Sequence, residues 1–304
     1  MKALFLLAAV ASLATAAAPP GIPDGWTDGY VFANGIRIHY YHAVPAPGKP
    51  ILVMAHGITD NGLSWATTTW ELQSAYDIYM VDARGHGLSD PQTASDMGGA
   101  AVADLFGYLR AMNFEKAILM GHSMGAATVM QLAAQYPEVP RAVILLDPGL
   151  GVSNGGRGAA AAPASAPSRF PSLLMFGTPD ALVVQNNRGF DDLVAQCRQD
   201  SPKWDPVDCQ YWALSKKQYH GSYAAGAGRG NGGGMSIPET LSKIGAPVLI
   251  LKADAPPETR KANEEVAKAL KNGKLIHVDD AGHNLHHDRR KQSVDLIAAF
   301  LKDR

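Results

Sequence analysis

The sequence predicts an α/β protein on a mostly parallel, doubly wound sheet, and three observations carry that prediction. Short apolar runs recur at Ile51–Ala55, Ile78–Asp82, Ala117–Gly121, Ala142–Asp147, Pro247–Leu251 and Leu275–Val278. Helix-compatible stretches lie between and after them, near Gly99–Met112, Met124–Tyr136, Glu258–Leu270 and Arg289–Leu301. The runs are continuous rather than alternating, the pattern of strands covered on both faces. With 304 residues and 46% apolar side chains, the chain has enough material for one sizeable core.

The elements follow in order. Met1-Lys2, an apolar stretch from Ala3 to Leu13 and the small residues Ala14-Thr15-Ala16 have the three-part layout of a secretory signal peptide. Residues 1–18 are therefore expected to be removed near Ala16–Ala18, leaving a secreted protein. No later run approaches the roughly 20 apolar residues of a membrane span. Lys plus Arg number 27 against 28 Asp plus Glu, and this balance disfavours a nucleic-acid partner.

Tyr30 to Tyr40 reads as two β runs joined by Asn34-Gly35, a hairpin that would add an antiparallel edge to the sheet. The strand–helix alternation stops after Asp147 and resumes near residue 238. The expected organisation is thus a core of 19–147 and 238–304 with a helical cap, 148–237, inserted after the sixth strand. Gly155–Ser168 and Gly221–Gly234 are low in complexity, and between them lie Phe190, Trp204, Tyr211, Trp212 and Tyr219. Such aromatics need something to bury against, and the last four are expected to line a substrate pocket beneath the cap. Cys197 and Cys209 enclose eleven residues, and an oxidising compartment would close them into a disulfide.

The chemistry centres on Gly121-His122-Ser123-Met124-Gly125, which follows one apolar run and opens a helical one. That is the setting of a nucleophile elbow, where a sharp turn lifts the serine hydroxyl above the sheet. A serine needs an adjacent base, itself held by a carboxylate.

Together with Ala55-His56-Gly57-Ile58 and Val81-Asp82-Ala83-Arg84-Gly85-His86-Gly87, the elbow resembles the α/β-hydrolase superfamily. The likeness runs from about Tyr30 to Leu301. It implies Ser123 as nucleophile and His283 as base, in Ala281-Gly282-His283-Asn284-Leu285-His286-His287. It also implies the Ile58 and Met124 amides as oxyanion donors, with Asn61 and Trp65 lining the acyl pocket and Arg84 bracing the turn after the fourth strand. His286 and His287 are expected to be exposed.

The acid has two sites. Similar proteins mostly place it after the seventh strand, but here Lys252-Ala253-Asp254-Ala255-Pro256-Pro257 carries proline at the expected acidic position. Asp147, at the end of the sixth strand, matches the minority pattern of zearalenone-type lactonases. Asp147 is the preferred acid and Asp254 the alternative, with Asp279 and Asp280 further behind. The expected activity is hydrolysis of a small-molecule carboxylic ester or lactone through an acyl-enzyme, with neither cofactor nor metal. Serine at the elbow argues against epoxide hydrolase and dehalogenase chemistry, in which similar proteins use aspartate. Carbon–carbon bond hydrolysis or another acyl-directed reaction, and ligand binding on a vestigial triad, are the alternatives.

Overall fold

The apolar runs form the middle of one eight-stranded sheet. In chain order its strands are β1 (Thr27–Ala33), β2 (Ile36–His42), β3 (Ile51–Ala55), β4 (Asp77–Val81), β5 (Ile118–His122), β6 (Ala142–Leu146), β7 (Val248–Lys252) and β8 (Gly273–His277). Across the sheet they run β1-β2-β4-β3-β5-β6-β7-β8, parallel from β4 through β8. The computed structural model describes residues 19–93, 96, 100–152, 179–221, 235–302 and 304. The expected signal peptide, the Gly/Ala/Pro-rich stretch and residues 222–234 lie outside the described residues.

The predicted hairpin is present. Ala33 pairs with Ile36, and Asn34 and Gly35 both take positive φ, 47° and 78°, as the tight turn requires. β2 then pairs antiparallel with β4, so the antiparallel edge is two strands wide.

Continuous apolar strands have a simple cause here: successive side chains feed different cores. Leu52 and Met54 of β3 and Ile118 and Met120 of β5 join one cluster, whereas Val53 and Leu119 join the other. The first core is closed by α1 (Ala66–Leu72) and by α10 (Arg290–Leu301) through Ile297, Phe300 and Leu301. The second is closed by α2 (Ala100–Ala111), α3 (Met124–Gln135) and α7 (Ile237–Lys243) through Val102, Leu105, Val129, Leu132 and Leu241. Each such side chain, fully buried, contributes roughly 1.5–3 kcal/mol.

Among the described residues between β6 and α7 lie three helices: α4 (Pro179–Asn186), α5 (Phe190–Asp200) and α6 (Pro206–Gln218). Asp205 caps α6 by accepting the Val207 N–H, with Pro206 in the first turn, a combination suited to a helix start. A disulfide between Cys197 and Cys209 ties α5 to α6. α6 packs on α1 and on the short 3-10 turn Gly62–Trp65 that precedes it. The final helical stretch is split: α9 (Leu285–Asp288) comes before α10, and α8 (Pro257–Ala267) covers β8.

Candidate active site

Ser123 sits between β5 and α3 with φ 50° and ψ −110°, a conformation that L residues rarely adopt. Two glycines make the turn possible. A Cβ on Gly121 would lie 2.3 Å from the Gly125 carbonyl oxygen, and one on Gly125 would lie 2.1 Å from that of Ala55. The turn is clamped on both sides, by the Ser123 N–H donating to the Leu146 carbonyl and the Gly125 N–H to that of His56, at 3.0 and 3.1 Å. Ser123 is half-buried at the N-terminus of α3, where unpaired amides concentrate positive potential.

Asp147 follows β6 directly, with φ 45°, and its N–H donates to the Leu251 carbonyl at 2.7 Å. Its Oδ2 accepts the His283 Nδ1–H at 2.6 Å. Its Oδ1 faces the Lys252 ammonium at 2.5 Å and accepts the Ala253 N–H at 3.1 Å. Burial alone would raise this carboxyl. The His283 hydrogen bond and the Lys252 charge outweigh it and hold Asp147 well below the usual carboxylate range.

His283 is drawn to the end of β5 by its neighbour there, since His122 Nε2–H donates to the His283 carbonyl at 3.0 Å and the two rings lie 4.8 Å apart. The Nδ1 bond to Asp147 orients the ring. Its Nε2 is buried and takes no hydrogen bond among the described residues. Burial, then the charge on His283, push His122 down to about 3, so it is neutral there.

The loop after β3 completes the site. His56 Nδ1–H donates to the Gly57 carbonyl and its Nε2 accepts the Ala83 N–H, which fixes the loop's first peptide. Ile58, in this loop, and Met124, next to Ser123 in the chain, are both half-buried. Thr59, a β-branched residue, takes φ 61°. The buried Lys216 of α6 holds it there, its ammonium donating to the Thr59 carbonyl, the Thr59 hydroxyl and Asp60 Oδ1, at 3.0, 2.9 and 2.9 Å. Asn61 Nδ2–H donates to Gln218 Oε1 at 2.8 Å, a second tie to the same helix.

With this geometry in place, the profile of the Alpha/beta hydrolase family matches residues 52–296. The chain belongs to the alpha/beta hydrolase family. Among curated relatives, the chain is 32% identical over 173 residues to N-formylmaleamate deformylase of Pseudomonas putida, covering 56% of the chain and 58% of that protein. The chain thus spans less than two thirds of that relative. A solved E-2-(acetamidomethylene)succinate hydrolase superimposes with TM-score 0.68 at 20% identity over 91% of the chain and 99% of that structure. An enol-lactonase from Burkholderia xenovorans gives 0.63 at 18% identity, over 90% of the chain and all of that structure. At such identities these two likenesses are of fold alone.

Other sequence-predicted residues lie elsewhere than expected. Asp254 is turned away: its carboxylate takes Arg260 at 2.5 Å and the Asp280 N–H at 2.9 Å. Asp279 shares Arg260, and Asp280 pairs with Arg289. His286 and His287 are buried, not exposed, because α9 turns back into the core. His286 stacks 4.7 Å from Trp65, and His287 lies beside Asp208 of α6.

Trp65 is 1% exposed within the first core cluster and Asn61 is wholly buried, tied to Gln218 of α6. Tyr211 is buried too, its hydroxyl donating to the Gly21 carbonyl. Tyr219 packs on His86 with ring centroids 4.8 Å apart. Trp204 donates to Asp288 Oδ1 at 2.7 Å, and the Trp212 ring lies under the Lys216 ammonium. Arg84 does brace its turn, through Asp104, Asp96 and the Asn34 carbonyl. Lys216 and Lys252 escaped the sequence reading, and only their placement among apolar neighbours in α6 and β7 hinted at burial.

Proposed function

We propose that the protein is a secreted serine hydrolase that cleaves a small-molecule carboxylic ester or lactone through an acyl-enzyme. The single observation that carries the reading is the 2.6 Å bond from His283 Nδ1–H to Asp147, because it leaves the buried Nε2 ready to take a proton. In this reading Ser123 Oγ attacks the carbonyl carbon, and its proton passes to His283 Nε2. Asp147 stabilises the imidazolium so formed. The Met124 amide at the start of α3 and the Ile58 amide hold the oxyanion, and a donor of this kind typically contributes about 2.7–4 kcal/mol. The imidazolium then protonates the leaving oxygen, and neutral His283 activates water to release the acid.

The helices between β6 and α7 serve as the cap, and the Cys197–Cys209 disulfide suits an oxidising compartment. Amide-type substrates are a second reading, favoured by the 32% identity to a deformylase. The same acyl chemistry would serve both. Acid release measured by pH-stat across short and long esters and small and macrocyclic lactones, with formate release measured directly for formamides, tests the reading. Turnover abolished by Ser123→Ala is expected, strongest on an ester or lactone. No release above the Ser123→Ala background on any member overturns it.

A further inference from the structure

The Asp147 carboxylate serves two cations at once. Oδ2 faces His283, and Oδ1 faces the ammonium of Lys252, which is 7% exposed at the end of β7. The lysine also donates to the Pro148 carbonyl at 2.8 Å, so one side chain grips both the carboxylate and the backbone of the positive-φ turn that presents it. The acid–base reading gives Lys252 no chemical step, since its ammonium is engaged by Asp147 Oδ1 and the Pro148 carbonyl.

We propose that Lys252 is a positioning residue of the acid–base pair: it fixes Oδ2 toward His283 and, by its charge, sets the pH above which His283 is an effective base. The inference rests on the serine-hydrolase reading of the site. Its physics is a competition for one carboxylate. Protonating His283 places a second cation near the ammonium, and the repulsion between them offsets part of the stabilisation that Asp147 offers an imidazolium. Removing the ammonium should therefore strengthen the hold of Asp147 on the imidazolium and show on the acid side of a pH–rate profile.

Other charged and titratable groups face the pair and are common to all variants compared. His122 comes from β5 and His286 from α9, both neutral by burial. Asp60, from the loop after β3, acts on His122. None of these touches Oδ1 of Asp147, so removing Lys252 isolates its own effect.

The test uses the full chain and a fluorophosphonate probe, whose covalent capture by serine requires a neutral base but no knowledge of the substrate. The capture rate is followed from pH 5 to 9 in the wild type, Lys252→Met, Lys252→Gln and Lys252→Arg. In the Met and Gln variants the acid limb should move up by about one pH unit, an approximately tenfold slower capture on the acid side. Lys252→Arg should keep the wild-type limb. If Lys252→Met does not fold, Lys252→Gln still removes the charge while keeping a hydrogen-bond donor.

A limb unmoved in the neutral variants, or moved equally in Lys252→Arg, overturns the inference while leaving the hydrolase reading intact. Failure of the wild type to be captured at Ser123 at any pH overturns both.

Discussion

The two halves of the Ser123 site are built from different material. The Asp147 side stands on the ends of β5, β6 and β7, joined by ladder bonds that continue past the strands, and His283 reaches it from the turn after β8. Ser123 donates to Leu146, and Asp147 to Leu251. Every residue of these three strands is buried. The loop after β3 meets the sheet through the Gly125 N–H to the His56 carbonyl and the Gly62 N–H to Asp82. Its left-handed Thr59 and its Asp60 are held by Lys216, and Asn61 by Gln218, all from the inserted helix α6. On the proposed reading, the sheet would orient the acid and base, while the oxyanion loop would take its geometry from α6. Changes in α6 should reach the transition state through that loop and leave the acid–base pair untouched.

The sharpest way to break this comparison is at the sheet half. Asp147→Asn should lower kcat roughly 10⁴-fold, as loss of the triad acid does elsewhere, because the imidazole loses both its tautomer and its stabilising charge. Asp254→Asn should stay within a few-fold, since its carboxylate serves Arg260 and the Asp280 amide. Steady-state kinetics on the preferred substrate decide it, and the reverse ranking would move the acid to the β7 loop.

The loop half should respond less, and differently. Lys216→Met removes three hydrogen bonds from the turn that carries Ile58. Some of the roughly 10²–10³-fold effect of an oxyanion donor should then be lost from kcat, with KM little changed. The variant also leaves the half-buried Asp60 without its cation, so a drop in stability accompanies it, smaller than the roughly 3–5 kcal/mol of a broken, fully buried pair. A rise in KM at unchanged kcat would mean that Lys216 serves substrate binding and not the oxyanion loop.

A third contrast lies in pH dependence. Around the site, burial drives His86 and His122 down to about 3 and holds His286 well below its ordinary value. All three bind protons more readily when unfolded, so their contribution is fully present above pH 6.5 and lost as pH falls below it. Each costs up to about 1.4 kcal/mol per pH unit in that range. At the far edge of the sheet, burial lowers His39, but Asp82 and Asp28 outweigh it, and its pKa is raised. That group stabilises below pH 6.5 and loses its contribution as pH climbs through the raised value. Urea midpoints should therefore drop from pH 6.5 to 5. A midpoint that holds steady over that range would refute the neutral, buried histidine cluster.

The same division explains what could be read from the chain. The strands, the Asn34-Gly35 hairpin and the elbow glycines announce themselves because local sterics and burial demand them. Asp147 was legible as a carboxylate at a strand end, and His283 as a histidine before the last helix. Lys216 and Lys252 were not, since a lysine in an amphipathic helix or at a strand terminus usually reaches solvent. Only the tertiary pairing with Asp60 and Asp147 reveals them. His286 and His287 misled for the same reason. Their polarity suggested a surface, but α9 folds inward and leaves them against Trp65 and Asp208.

The smallest expected effect tests how far the loop depends on α6. The Cys197–Cys209 disulfide fastens α6 to α5 near the end opposite Lys216 and Gln218. A bridge closing a loop of this size contributes about 2–3 kcal/mol. Mild reduction should loosen α5 first, while the Lys216 contacts to Thr59 and Asp60 keep the C-terminal half of α6 seated. Turnover of small esters should then fall no more than a few-fold, and bulky substrates, which need the whole insertion in place, should lose more. Equal losses for both would mean that strain in the insertion passes straight to the oxyanion loop, so that α6 moves as one rigid lever from the disulfide to Lys216.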